Sequence, residues 1–161
     1  MRIGINGFGR IGRLVFRALW GRPGLEVVHV NDCAGDAATA AHLLQFDSVH
    51  GRWQHEVRPH STGFHVEDKL VRYASESDPT KVRWSDSGVE MLLECSGIFN
   101  TSKSIQLCLN KLSMENLDVT CRCWINCPLS EKSFSLGKRE LDGAHKENEK
   151  VLNVLPLQAL L

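Results

Sequence analysis

No part of this chain restricts its fold as strongly as the run GINGFGRIGR at residues 4–13. Arg2 to Asn6 read as a short strand, and Gly7, Gly9 and Gly12 then form a GxGxxG turn that opens a helix. From Ile11 onward Leu14, Val15, Ala18 and Leu19 recur at helical spacing, while Arg10, Arg13 and Arg17 fall mostly on the other side. Gly21, Pro23 and Gly24 stop the helix, and Leu25 to Val30 follow as a second apolar strand interrupted by Glu26 and His29. A strand, helix and strand in about thirty residues is the size of one right-handed parallel crossover.

Each glycine has a separate physical task in such a unit. Gly7 permits the tight turn, Gly9 lets a pyrophosphate approach the backbone, and Gly12 lets the helix pack closely on the sheet. The unpaired amides at the helix start then receive phosphate oxygens. Asp32, at the end of the second strand, can accept hydrogen bonds from the adenosine ribose hydroxyls. Its carboxylate would repel an additional phosphate there, so NAD is expected over NADP. Arg10 and Arg13 either assist electrostatically or occupy an ordinary exposed helix surface.

The 161 residues carry 19 Lys and Arg against 19 Asp and Glu, a balance that disfavours a basic nucleic-acid binder. A hydrophobic fraction of 42% supports a folded core. No apolar run is long enough to span a bilayer, and Arg2 leads at once into the strand and glycine turn, so a cytoplasmic protein without membrane attachment is expected.

Beyond Asp32, Asp36 to Phe46 give a second helical pattern through Ala37, Ala40, Ala41 and Leu44. The His-rich stretch from Asp47 to His60 has no sustained period and reads as containing loop. Gly63 to Ala74 predict a hairpin turning at Glu67-Asp68-Lys69, with Phe64, Val66, Leu70 and Val71 as candidate buried residues. Asp78-Pro79 marks a turn, Trp84 is expected to cover an edge of the core, and Val89 to Cys95 form a further strand ending at Ser96-Gly97. A helix is expected over 101–112, with Ile105, Leu109 and Leu112 on one side, and one more strand within Leu117 to Ile125. Residues 130–150 are polar, and the last ten residues offer an apolar face interrupted by Pro156.

In GINGFGRIGR, Asn31-Asp32, FDSVHGRW at residues 46–53, and Glu94-Cys95-Ser96-Gly97 followed by Phe99, the chain resembles the N-terminal cofactor-binding domain of glyceraldehyde-3-phosphate dehydrogenase. The resemblance runs from residue 2 to about 101; the Ala18 to Trp20 and Asp36 to Trp53 segments look like the bacterial branch associated with arsenate resistance. It implies an α/β fold: a Rossmann-like, mostly parallel sheet with flanking helices and a small antiparallel hairpin, here incomplete. It further implies that Asn6, Gly7, Gly9, Arg10 and Ile11 surround the dinucleotide phosphates, with Asp32 beside the adenosine ribose and Ser96 and Gly97 on the other side of the cofactor. Ser96 stands where the family commonly has threonine, and a strand-terminal turn residue is its alternative reading. Ser77 stands where the family often has arginine, which removes a possible adenine-side contact.

The resembling enzymes oxidise an aldehyde with a cysteine nucleophile and a histidine base, pass hydride to NAD and transfer the acyl group to phosphate. Their Ser-Cys-Thr-Thr-Asn-Cys signature does not occur in this sequence. Cys127 is a poor match to that nucleophile, and Cys95 reads as a core cysteine, so no catalytic residue is assigned. His42, His50, His55, His60 and His65 read as surface or satisfied core histidines. Cys121, Cys123 and Cys127 lack a two-pair zinc spacing even if Cys108 or His145 joins them, and reduced thiols without metal are expected.

The sequence thus predicts a dinucleotide-binding domain over 1–112 and a divergent segment over 113–161, from an interrupted, alternatively spliced or frame-shifted coding sequence. Loss of later elements would expose apolar surface, giving marginal stability, a homo-oligomer or association with a complementary chain. An NAD-binding domain unable to complete the reaction alone is the leading expectation. An inactive association or regulatory module that retains the nucleotide fold is the alternative.

Overall fold

The computed structural model describes residues 1–98, together with the backbone of 118–121 and 135–136. Strand β1 (Arg2–Asn6) is buried from Ile3 onward, and β2 (Glu26–Asn31) from Val27 onward. Burial on both faces is what lets these strands be nearly continuous in apolar residues. Between them runs α1 (Arg10–Leu19), which presses Gly12 and Phe16 on the sheet, with Val15 and Leu19 packed beside them.

Helix α2 (Ala37–Gln45) starts at Asp36, whose carboxylate accepts from the Thr39 amide at 2.7 Å. It buries Ala40, Ala41, Leu44 and Gln45. The guanidinium of Arg17 reaches from α1 to the Leu44 carbonyl at 2.6 Å and so supplies a donor at the closing end of α2.

The remaining elements are β3 (Phe46–Asp47), β4 (Gly51–Arg52), β5 (Val57–His60), β6 (Gly63–Val66), β7 (Lys69–Ala74), two 3-10 turns (Pro79–Lys81 and Trp84–Ser87), β8 (Met91–Glu94), β9 (Asp118–Cys121) and β10 (Ser135–Leu136). Among the described residues one eight-stranded sheet has the order β10-β9-β8-β1-β2-β7-β6-β5, and β3 pairs with β4 apart from it. The pairs β9-β8, β8-β1, β1-β2 and β2-β7 are parallel, whereas β7-β6, β6-β5 and β9-β10 are antiparallel. This is the expected Rossmann-like, mostly parallel sheet with flanking helices and a hairpin. The expected strand within Leu117 to Ile125 is β9, which lies parallel to β8.

Sequence and structure differ at three places. The stretch from Asp47 to His60 contains loop but also β4 and β5, the latter an edge strand carrying Pro59 and mostly exposed, so it lacks the buried alternation that marks a strand. Leu70 is 40% exposed while Val71 is fully buried, because neighbours on one strand face opposite sides of the sheet. Trp84 lies fully inside instead of at an edge, against Gly4, where a Cβ would come within 3.0 Å of its ring.

The expected helix over 101–112, Phe99, the Cys108, Cys123, Cys127 and His145 side chains and the apolar C-terminus lie outside the described residues. Among the described residues no helix is long and apolar enough to cross a membrane. No group of three metal-ligating side chains occurs among them either.

Candidate functional site

The carboxyl ends of β1, β2 and β8 converge at Asn6, Asn31 and Glu94, which lie in register across three adjacent parallel strands. From β1 the chain crosses through α1 to β2 on one side, and β8 takes the place on the other side. A reversal of strand order at the carboxyl end of a parallel sheet opens a crevice, the usual ligand position in open α/β folds.

The turn that leaves β1 is built by close contacts. Gly7 has φ +90°, a conformation that L side chains rarely adopt, and a Cβ on it would meet the Ser96 backbone nitrogen at 2.3 Å. A Cβ on Gly12 would meet the Gly7 carbonyl oxygen at 2.0 Å. Gly9 differs from both: a Cβ there would meet nothing within 4 Å. Two of the three glycines are therefore required by packing, and the third leaves bare backbone facing open space.

Gly9 is the residue before α1 and offers no side-chain cap, and the first turn of the helix carries no acid. Arg10 and Ile11 are exposed in that turn, and Gly12 is buried. The amides at this end and the positive pole of the helix are thus open to an anion. Arg13 donates from Nη1 to the Phe8 carbonyl at 3.0 Å, while its buried Nε has no hydrogen-bond partner among the described residues.

Asp32, half-buried just beyond β2, holds both sides of the opening. One carboxylate oxygen accepts from the Phe8 amide in the glycine turn, and the other accepts from the Ala34 amide at 2.8 Å. The Tyr73 hydroxyl donates to the Asp32 carbonyl at 2.8 Å; burial, then the nearby negative charge of Asp32, push that phenol up to about 12. Each Asp32 oxygen keeps a lone pair for a further donor.

Beneath the turn lies a chain of polar side chains that the sequence did not announce. Glu94 accepts from Asn6 Nδ2 at 2.6 Å, from the Ser96 amide at 2.7 Å and from the Ser96 hydroxyl. Asn31 Nδ2 donates to Asn6 Oδ1 at 2.8 Å and to the Glu76 carbonyl at 2.9 Å, and its Oδ1 accepts from the Glu76 amide at 2.9 Å. Burial pushes the Glu94 carboxyl up, against the hydrogen bonds from Ser96 and Asn6 that favour its charged form.

The residues expected at the site are therefore grouped. Asn6, Gly7, Gly9, Arg10, Ile11 and Gly12 form the turn and helix start, Asp32 stands across from them, and Ser96 and exposed Gly97 follow β8. Ser77 is exposed one residue beyond Glu76, past the end of β7. Asn31, Glu94, Phe8 and Tyr73 were missed. An acid closing the apolar strand MLLE was the available signal for Glu94, since a carboxylate is rarely buried without dedicated partners.

Residues 1–102 match the model of the family described as glyceraldehyde 3-phosphate dehydrogenase, NAD binding domain. Glyceraldehyde-3-phosphate dehydrogenase 3 of Nostoc sp. is 48% identical over 105 residues, which cover 65% of this chain and 31% of the relative. Glyceraldehyde-3-phosphate dehydrogenase 1 of Bacillus subtilis is 48% identical over 99 residues, covering 62% of this chain and 29% of the relative. The cytosolic enzyme of Chlamydomonas reinhardtii is 46% identical over 99 residues, again 62% of this chain and 29% of the relative. The matched region thus spans less than a third of each relative.

Proposed function

Because the chain belongs to the family described as the NAD binding domain of glyceraldehyde 3-phosphate dehydrogenase, we propose that it binds NAD at the carboxyl ends of β1, β2 and β8. The bare backbone of Gly9 carries this reading. It is the one glycine of the turn with no packing reason to lack a side chain, and it lies beside uncapped helix amides. A pyrophosphate supplies the anion that such a surface accommodates.

In this arrangement Gly7 and Gly12 shape the turn, and the amides beginning at Arg10 and Ile11 receive phosphate oxygens. Arg10 adds positive charge beside them. Asp32 orients the adenosine ribose through its remaining lone pairs and disfavours a phosphate there, so NAD is preferred to NADP. Ser96 and Gly97 bound the opposite wall, and Ser77 marks the adenine side without the charge of an arginine. NAD, when bound, supplies a hydride acceptor; the residues named here bind and orient it.

The binding domain comprises residues 1–112, and 113–161 form a divergent segment that includes β9 and β10. The 161 residues do not complete aldehyde oxidation alone, since they contain neither the cysteine signature nor its histidine partner. A second copy or a complementary chain is the partner of this domain. A cytoplasmic location accords with the relative named as cytosolic. The narrower placement in the arsenate-resistance branch rests on residues 18–20 and 36–53.

Titration of the purified chain with NAD and NADP, followed by an NADH-formation assay with phosphate and glyceraldehyde 3-phosphate, tests this reading. Saturable binding that favours NAD, without turnover, is expected. Absence of saturable binding overturns the cofactor site, and turnover overturns the incompetence of the isolated chain.

A further inference from the structure

We propose that Glu94 is a positioning residue for the dinucleotide turn: by accepting three hydrogen bonds at its two carboxylate oxygens, it fixes Asn6 and Ser96 in the orientations that the cofactor meets. The inference rests on the NAD-binding reading above. It assigns a task to a buried acid that stands behind the binding surface.

The hydrogen-bond inventory leaves little freedom. Asn31 clasps both the amide and the carbonyl of Glu76, so turning its side-chain amide over would lose both bonds. Its Nδ2 must therefore face Asn6, whose Oδ1 accepts at 2.8 Å. Asn6 is left with its Nδ2 directed at Glu94 Oε2, at 2.6 Å. At the other oxygen, Oε1, the Ser96 amide and hydroxyl both donate. Glu94 accepts at both oxygens, from amide donors that cannot reverse their roles, and a carboxyl group offers acceptor capacity at each.

An amide of the same shape cannot replace it. A glutamine presents one oxygen and one NH2 group, so either Asn6 Nδ2 or the Ser96 amide would confront a donor. An unmatched buried donor is costly, so the structure would yield at one of these two sites. Both adjoin the glycine turn: Asn6 immediately precedes Gly7, and Gly7 packs on the Ser96 backbone.

The test compares wild-type chain with Glu94→Gln in two measurements. Calorimetric titration with NAD should show at least tenfold weaker binding in the variant. In ligand-free wild type, the Asn6 side-chain NH2 resonances should shift with pH as Glu94 titrates, and the shift should vanish in the variant. Other ionisable residues nearby are Asp32 beyond β2, Glu76 beside Asn31, Cys95 next in the chain and Cys121 opposite in the β9 register. They remain in both proteins, so the difference between the two titrations isolates Glu94.

Wild-type NAD affinity in the variant, or an Asn6 resonance insensitive to the Glu94 titration, overturns the proposal. If wild type fails to bind NAD, the cofactor reading falls while the resonance still decides the role of Glu94. If the variant fails to fold, the wild-type resonance decides it likewise.

Discussion

Gly12 lies so close to Gly7 that a Cβ on Gly12 would sit 2.0 Å from the Gly7 carbonyl oxygen. That oxygen belongs to backbone held by a second contact, the 2.8 Å hydrogen bond from the Gly7 amide to the Asn31 carbonyl. Neither side can yield by rotating a side chain. Gly12→Ala should therefore destabilise the fold by about 2 kcal/mol or more, as expected of overpacking against fixed atoms. Chemical denaturation of the two proteins measures it.

Gly9→Ala should behave in the opposite way. Its φ of −66° suits any L residue, and the added methyl meets nothing within 4 Å. Stability should fall by no more than about 1 kcal/mol, the loss expected when alanine replaces glycine at a helix N-cap. NAD affinity should nevertheless fall at least tenfold, because the methyl occupies the approach of the pyrophosphate. Unchanged affinity in this variant places the phosphates elsewhere.

Asp32→Ala removes an acceptor from two backbone amides and, under the proposed function, from the ribose as well. A stability loss of about 1–3 kcal/mol is expected from the orphaned Phe8 and Ala34 amides, the former in a half-buried site. NAD should bind more weakly, and the preference over NADP should shrink because the repelling charge is gone. Parallel titrations with both dinucleotides give the ratio.

His29 predicts an acid-sensitive fold. It is buried, its Nδ1 pairs with the Ser87 hydroxyl at 2.9 Å, and its ring lies 4.9 Å from that of Trp84. Burial, then the charge of Arg72, lower its pKa from 6.5 to about 4, against the pull of Asp86. The unfolded chain thus binds the proton more readily, so stability is complete above about pH 6.5 and declines as pH falls toward 4. The decline contributed by this residue is at most about 3 kcal/mol. Glu94 acts in the opposite sense, since a raised carboxyl pKa favours the folded state toward acid. Urea midpoints between pH 4 and 7 should therefore slope upward with pH in wild type, and less so in His29→Gln.

The strand, helix and strand of residues 2–31 were legible because glycine punctuation and helical period act within a short window. Residues grouped by that local motif, from Asn6 to Gly12 and at Asp32, fall together for the same reason. Glu94, Asn6, Asn31 and Glu76 are joined over separations of up to 88 residues, and only the strand order brings them into line. Gln45 was equally silent: it reads as one polar residue on a helix, yet its side chain binds the Trp53 and His55 carbonyls and the Val57 amide. Trp84 was misplaced because its polar neighbours Arg83, Ser85 and Asp86 suggest a surface, while the space that admits it is left by Gly4, far away in the chain.

Pro59 lies on β5, the last strand on the hairpin side of the sheet, and it has no N–H to offer. A row of free donors at that margin would template the growth of fibres by recruiting strands from other molecules. Pro59 interrupts the row, and exposed Arg58 and His60 flank it with polar bulk. This margin is guarded against cross-β aggregation, so amyloid-type assembly of the native chain is disfavoured there.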